Sequence, residues 1–215
     1  FTMDKGKNTG LLLHDILEQV DFRQPNWASA MEVPLTRYHG EATDIDNKVV
    51  QLEQWLTECL GACLPVKPGD KQSATYSLSQ LSSQQTLREA EFYFPLIEGH
   101  NSLAQILTRH RGGVPTGLPN NVRLNGMMHG FIDLIIEHQG RYYVADYKSN
   151  HLGYELEDYN AEAMLVANQT HYYDLQYLIY SLALHRYLGQ RLDNYNPQQH
   201  FGGVYYLYLR GMAPN

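Results

Sequence analysis

Apolar and polar positions alternate strictly along one stretch of this chain. Between residues 86 and 96, Glu89, Glu91 and Tyr93 alternate against Ala90, Phe92 and Phe94, the period of a strand with one buried face. Two further strand-like runs, 131–137 and 142–148, flank the pair Gln139-Gly140, which suits a two-residue turn. With that pair as the loop, His138 faces Arg141, and counting back sets Asp133 directly opposite Asp146. Directly opposed residues share a face with Cβ atoms about 5 Å apart. The register therefore predicts two aspartates side by side at the apolar centre of a sheet, and a slip of one residue would separate them.

Helical spacing governs most of the remainder. Residues 10–20 read as a helix with His14 and Glu18 one turn apart, in a region closed by Pro25. Residues 46–62 carry Val49, Val50, Leu52, Leu56 and Leu60 as an apolar stripe that ends at Gly61. The stretch 65–85, rich in Pro, Gly, Ser and Gln, reads as a loop with short helical turns. A short helix over 101–110 is expected to stop at Gly112-Gly113, followed by an extended run at 122–128. Residues 150–158 read as a loop and 159–168 as a helix. The clearest helix spans 171–188, with Leu175, Leu178, Ile179 and Leu182 on its buried side, and 201–210 form a closing strand. Strands interleaved with helices, without internal repeats, predict one α/β domain over 1–215, a mixed central sheet flanked by helices.

Bulk properties narrow the function. A formal net charge of -7 argues against a general nucleic-acid coat, although it leaves room for a local basic track. Seventeen tyrosines against six phenylalanines suit a folded domain with amphipathic strands and a wet, partly aromatic groove. Cys59 and Cys63 give no zinc quartet and read as two reduced, partly buried thiols. No segment reaches the roughly 20 apolar residues of a membrane span, and there is no secretory signal, so a cytoplasmic place is expected. The first residue is Phe1 rather than Met, which suggests a piece of a larger protein.

The facing aspartates carry the chemistry. Asp146 and Lys148 are two apart and so point to one face of their strand. Buried carboxyls that close repel, and one should hold a proton unless a cation intervenes. Mg2+ takes hard oxygen ligands, which Asp133, Asp146 and the backbone carbonyl of Tyr147 would offer. Such an ion would activate water and neutralise a phosphate, with Lys148 steadying the charge of the transition state. From spacing alone the same residues also read as an Asp–Lys ion pair on a strand. Glu91 is a candidate third carboxylate and equally a solvent-facing glutamate. His14 among its leucines reads as a packed or surface histidine, or as a ligand if partners come from far along the chain. Gln176 and Tyr180, four apart on one helix face, either orient Lys148 or simply pack the helix on the sheet. Tyr142, Tyr143, Tyr147 and Tyr154 are candidate stacking surfaces for unpaired bases.

Longer strings point further. Gly130-Phe-Ile-Asp-Leu134, Gly140 to Asn150, Tyr173-Asp-Leu-Gln176, Tyr180 to Leu188 and His200 to Gly211 closely resemble RecB-type nuclease domains of the PD-(D/E)XK superfamily. The resemblance is dense from Gly126 to Gly211 and looser back to His14. It implies a restriction-endonuclease-like core and a Mg2+-dependent deoxyribonuclease with one or two ions, cutting single-stranded DNA by exo- and endonucleolytic routes during break repair and recombination. Asp133 then matches the first metal aspartate, with Ile132 where the motif has proline. Asp146 matches the second acidic ligand and Lys148 the motif lysine. His14 matches the histidine of the early helix, Glu91 the upstream acidic residue, and Gln176 and Tyr180 the Q-x-x-x-Y motif. The resemblance also implies a helicase–nuclease subunit assembled with RecC and RecD and in contact with RecA recombinase. A non-catalytic docking module for such partners is the alternative, and the intact Asp133, Asp146 and Lys148 set favours the enzyme.

Overall fold

A computed structural model describes residues 5–39, 45–70, 72–96, 102–121 and 125–214. Four strands form the central sheet in the order β3-β4-β5-β6: β3 (Thr86–Leu96), β4 (Gly126–His138), β5 (Arg141–Lys148) and β6 (Phe201–Tyr208). The first three are antiparallel neighbours and β6 runs parallel to β5, so the sheet is mixed. The β4–β5 turn places Gln139 and Gly140 at φ 54° and 75°, and His138 pairs with Arg141 as the sequence predicts. Positive φ at both central residues is what a tight hairpin needs to match strand twist.

Alternation along β5 decides which layer covers which face. Tyr143, Ala145 and Tyr147 pack with Leu134, Ile136, Tyr205 and Leu207 against α1 (Lys7–Gln19), α2 (Trp27–His39) and α3 (Ile45–Gly61). Val144 joins Phe94, Ile132 and Ile135 under Ala183, Leu184 and Leu188 of α6 (Tyr173–Arg191). Asp146 and Lys148 continue the Val144 side, so they face α6. Among the described residues, α4 (Leu103–His110), α5 (Ala161–Thr170) and α7 (Pro197–His200) complete the helices, and none is long and apolar enough to cross a membrane.

Several expectations change. Helix α2 is additional: Trp27, Ala30, Met31 and Pro34 are buried at helical spacing, with Pro34 inside the helix where it normally argues against one. On α3, Val50 lies outward and is 64% exposed. On α6, Leu182 is exposed, and the sheet-facing positions include polar Gln176 and Tyr180, which interrupt the stripe that hydrophobicity alone would trace. The 65–85 stretch does hold short helical turns, but also a small antiparallel pair, β1 (Leu64–Pro65) with β2 (Thr75–Tyr76). This pair braces the sheet, because the Tyr205 and Tyr143 hydroxyls donate to the carbonyls of Pro65 and Val66. The extended run expected from 122 starts at Gly126, with 122–124 outside the described residues, as is 101 of the short helix. Cys59 is buried and Cys63, just past the end of α3, is exposed.

Candidate active site

The sheet opens where the chemistry sits. Main-chain pairing between β4 and β5 ends at Leu134 and Ala145. At the next step, where counting puts Asp133 opposite Asp146, the Asp133 carboxylate takes the place of a carbonyl and accepts the Tyr147 N–H at 2.9 Å. On its other side β4 pairs with β3 at Arg88–Leu134 and Ala90–Ile132, leaving Glu89 and Asp133 unpaired between them. Glu89 adopts φ 46°. The pleat inverts at this point: Arg88 and Leu134 face the α1 layer, whereas Ala90 and Ile132 face α6.

That inversion brings a helix residue and a strand residue to Asp133. Donor atoms of His14, Glu89 and Asp133 lie within 4.8 Å of one another. The His14 Nδ1 is 3.4 Å from Asp133 Oδ2, and its Nε2 is 3.0 Å from the Tyr147 carbonyl oxygen. Close helix packing makes the approach feasible, since a Cβ at Gly10 would meet the Ser149 hydroxyl at 3.0 Å. Arg88 ties β3 to the same helix: its guanidinium donates to the Glu18 and Val20 carbonyls at the C-terminal end of α1 and stacks 4.1 Å over Phe22. A cation there suits the negative end of the helix dipole.

On the α6 side, the Lys148 ammonium is ion-paired with Asp146 and donates to Gln176 Oε1 at 2.9 Å. The Gln176 amide donates in turn to the Tyr180 hydroxyl at 3.0 Å. The rings of Tyr173 and Tyr206 lie 3.8 and 5.0 Å from the same ammonium. The start of α6 is held by Asp174, buried in a two-pronged pair with Arg111 at 2.5 and 3.0 Å. Lys148 is thus a buried cation aimed by one carboxylate, one amide and two ring faces.

Six of the sequence candidates therefore converge: His14, Asp133, Asp146, the Tyr147 carbonyl, Lys148 and Gln176, with Tyr180 behind Gln176. Glu91 does not. Its side chain is 63% exposed and sits 2.9 Å from His129 Nε2. In a regular strand Glu89 and Glu91 would share a face, but the inversion at Glu89 sends them apart, so Glu89 is the β3 carboxylate at the site. A sequence signal for this existed: in unbroken alternation Arg88 would join the apolar side of Ala90 and Phe92. Tyr173 and Tyr206 were also missed, because aromatic residues beside a lysine leave no spacing signature.

The electrostatics favour a cation. Burial, then the neighbouring Asp146, push Asp133 up to about 7. Burial also raises Asp146 against the pull of Lys148, and burial followed by Asp133 raises Glu89. Carboxyls held toward their neutral forms around an imidazole are a donor set whose ionised form a divalent ion would restore. A folded-state value above the unfolded one means the native chain keeps a proton that the unfolded chain has already lost. Stability is therefore expected to fall as pH rises from about 4 to about 7, by up to about 1.4 kcal/mol per pH unit for each proton, and then to level. Melting curves in EDTA across that window check this. Asp133→Asn should flatten the profile, and a parent profile indistinguishable from the variant's would contradict it.

Comparison with known proteins gives the setting. A family model described as the PD-(D/E)XK nuclease superfamily matches residues 1–213. The RecBCD enzyme subunit RecB of Escherichia coli strain K12 is 40% identical over 214 residues, covering 97% of this chain and 17% of that protein. The subunit of the same name in Haemophilus influenzae is 35% identical over 213 residues, 98% of this chain and 17% of its own length. That of Mycobacterium tuberculosis H37Rv is 33% identical over 234 residues, 98% of this chain and 21% of its own. The chain thus spans about a fifth or less of the length of these relatives.

Proposed function

Because the chain belongs to the PD-(D/E)XK nuclease superfamily, we propose that it hydrolyses phosphodiester bonds of DNA with the help of Mg2+. The observation that carries the reading is the convergence of His14, Glu89 and Asp133 within 4.8 Å, beside Asp146 and Lys148. His14, Glu89, Asp133, Asp146 and the Tyr147 carbonyl would hold one or two ions. A bound divalent cation supplies Lewis-acid activation of water and charge neutralisation at the phosphate.

The rest falls to the chain's own groups. As water adds to phosphorus and the P–O bond to the leaving oxygen breaks, negative charge grows on the phosphoryl oxygens. Lys148, fixed before the reaction begins, stabilises that charge without reorganising. Gln176 and Tyr180 keep its ammonium aimed, and the ring faces of Tyr173 and Tyr206 exclude water on the far side. His14, 3.0 Å from the Tyr147 carbonyl and 3.4 Å from the Asp133 carboxylate, would give one ring nitrogen to the ion while the other keeps its hydrogen bond.

Likeness to the RecB subunits supports a wider role as the nuclease part of a helicase–nuclease in recombination repair, with RecC- and RecD-type partners, a RecA-type recombinase contact and single-stranded DNA as preferred substrate. An acidic balance of -7 suits a domain handed its substrate by partners rather than one that searches for DNA. The test is digestion of circular single-stranded DNA and duplex plasmid in Mg2+ and in EDTA. Cleavage of the single-stranded circle, abolished by EDTA, is expected. A folded chain that cuts equally well in EDTA, or not at all in Mg2+, would overturn the reading.

A further inference from the structure

Of the four tyrosines that the sequence offers as base-stacking surfaces, the fold removes three. Tyr143 and Tyr147 are buried in the α1-side core, and Tyr142 packs into the α6-side core. Tyr154 is different. It lies 75% exposed on the loop that leaves β5 six residues after Lys148. Lys5 places its ammonium 4.8 Å from the ring centroid and donates to the hydroxyl at 3.2 Å. His151 meets the ring edge-to-face at 4.7 Å. Arg210, in the turn that follows β6, holds the start of this loop through the Ser149 carbonyl at 3.0 Å. Asp158, whose charge His151 also senses, accepts the backbone N–H of Glu155 at 3.0 Å.

Stability gives little reason for this corner. An exposed lysine–tyrosine contact contributes at most about 1 kcal/mol to folding, and the ring buries little apolar area. In a chain of net charge -7, Lys5 and His151 nonetheless meet one exposed ring, six residues along the chain from Lys148 and so at most about 20 Å from the ammonium proposed to face the scissile phosphate. Positive charge with an interleaved aromatic is the pairing that single-stranded nucleic acid requires: cations follow the phosphates and a ring stacks a base whatever its identity. The long Lys5 side chain is a replaceable cover for the ring.

We propose that Lys5, His151 and Tyr154 form a subsite for one nucleotide of the single strand, beyond the scissile bond, with its base stacked on Tyr154 and its phosphate met by Lys5. This rests on the hydrolytic reading above and names its strand-binding element. Binding of a fluorescent oligothymidylate to the chain, followed by anisotropy, tests it alongside the cleavage rate. Tyr154→Ala should weaken binding about tenfold, and Tyr154→Trp should restore it. An oligonucleotide abasic at the stacked position should bind parent and Tyr154→Ala alike. Lys5→Gln should lower the slope of log affinity against log salt by about one. Unchanged affinity in Tyr154→Ala, its fold confirmed by melting, would overturn the subsite while leaving hydrolysis intact. A parent chain that binds with this tyrosine dependence yet never cuts would sustain the subsite and overturn hydrolysis.

Discussion

Asp146→Asn is expected to fold normally and to cut single-stranded DNA about a thousandfold more slowly than the parent chain. The substitution keeps the shape of the side chain, and the amide oxygen still accepts from the Lys148 ammonium that Asp146 now pairs with. What disappears is one negative charge on a buried group that burial already holds toward its neutral form. Without metal, the variant loses the repulsion with Asp133 and also the charge that pairs buried Lys148, so at neutral pH its melting temperature should stay close to the parent's. Activity collapses while the fold holds, which separates loss of chemistry from loss of structure. Lys148→Met should cost about a hundredfold in kcat with KM little changed, the signature of a group that acts mainly in the transition state. Steady-state kinetics with a labelled oligonucleotide, paired with thermal melts, decide the matter. If Asp146→Asn retained more than about a tenth of parental activity, the assignment of this centre would fall.

Glu89 and Glu91 make the second decisive comparison. Glu89→Gln is expected to lower cleavage about a hundredfold and to raise the Mg2+ concentration needed for half-maximal rate, since it withdraws a carboxylate from the His14 and Asp133 cluster. Glu91→Gln should stay within about twofold of the parent, because its partner is His129 on an exposed face. The opposite result, with Glu91 essential and Glu89 dispensable, would mean that the strand runs with an unbroken pleat in solution. A Mg2+ titration of rate for the two variants side by side distinguishes these cases. The contrast is sensitive because the two residues are chemically identical and only two positions apart.

What the sequence made legible follows from where local rules hold. The turn at Gln139-Gly140 fixes a register by short-range chemistry, so the meeting of Asp133 and Asp146 was readable without any knowledge of the fold. Strand alternation likewise put Asp146 and Lys148 on one face. Glu89 was not readable by the same rule, because the rule fails there: two opposed residues drop out of the ladder together, spacing is conserved and the face still changes. Helix α2 carried no expectation at all; burial of Trp27, Ala30 and Met31 at helical spacing forms it even with Pro34 inside. On α6 the polar residues that face inward serve Lys148, so hydrophobicity traced the wrong stripe. In each case the departure from pattern lies at or beside the candidate centre, except for α2, where packing alone prevailed.

The parts of the centre are far apart along the chain, from His14 on the first helix to Tyr180 on the sixth, with carboxylates from β3, β4 and β5 between them. A chain still emerging during synthesis presents both central aspartates before α6 exists to aim the lysine. In truncated or half-made copies the proposed hydrolytic centre is accordingly incomplete, and it is assembled only when helices on both sides of the sheet have docked. Completion of tertiary structure acts here as the safety catch.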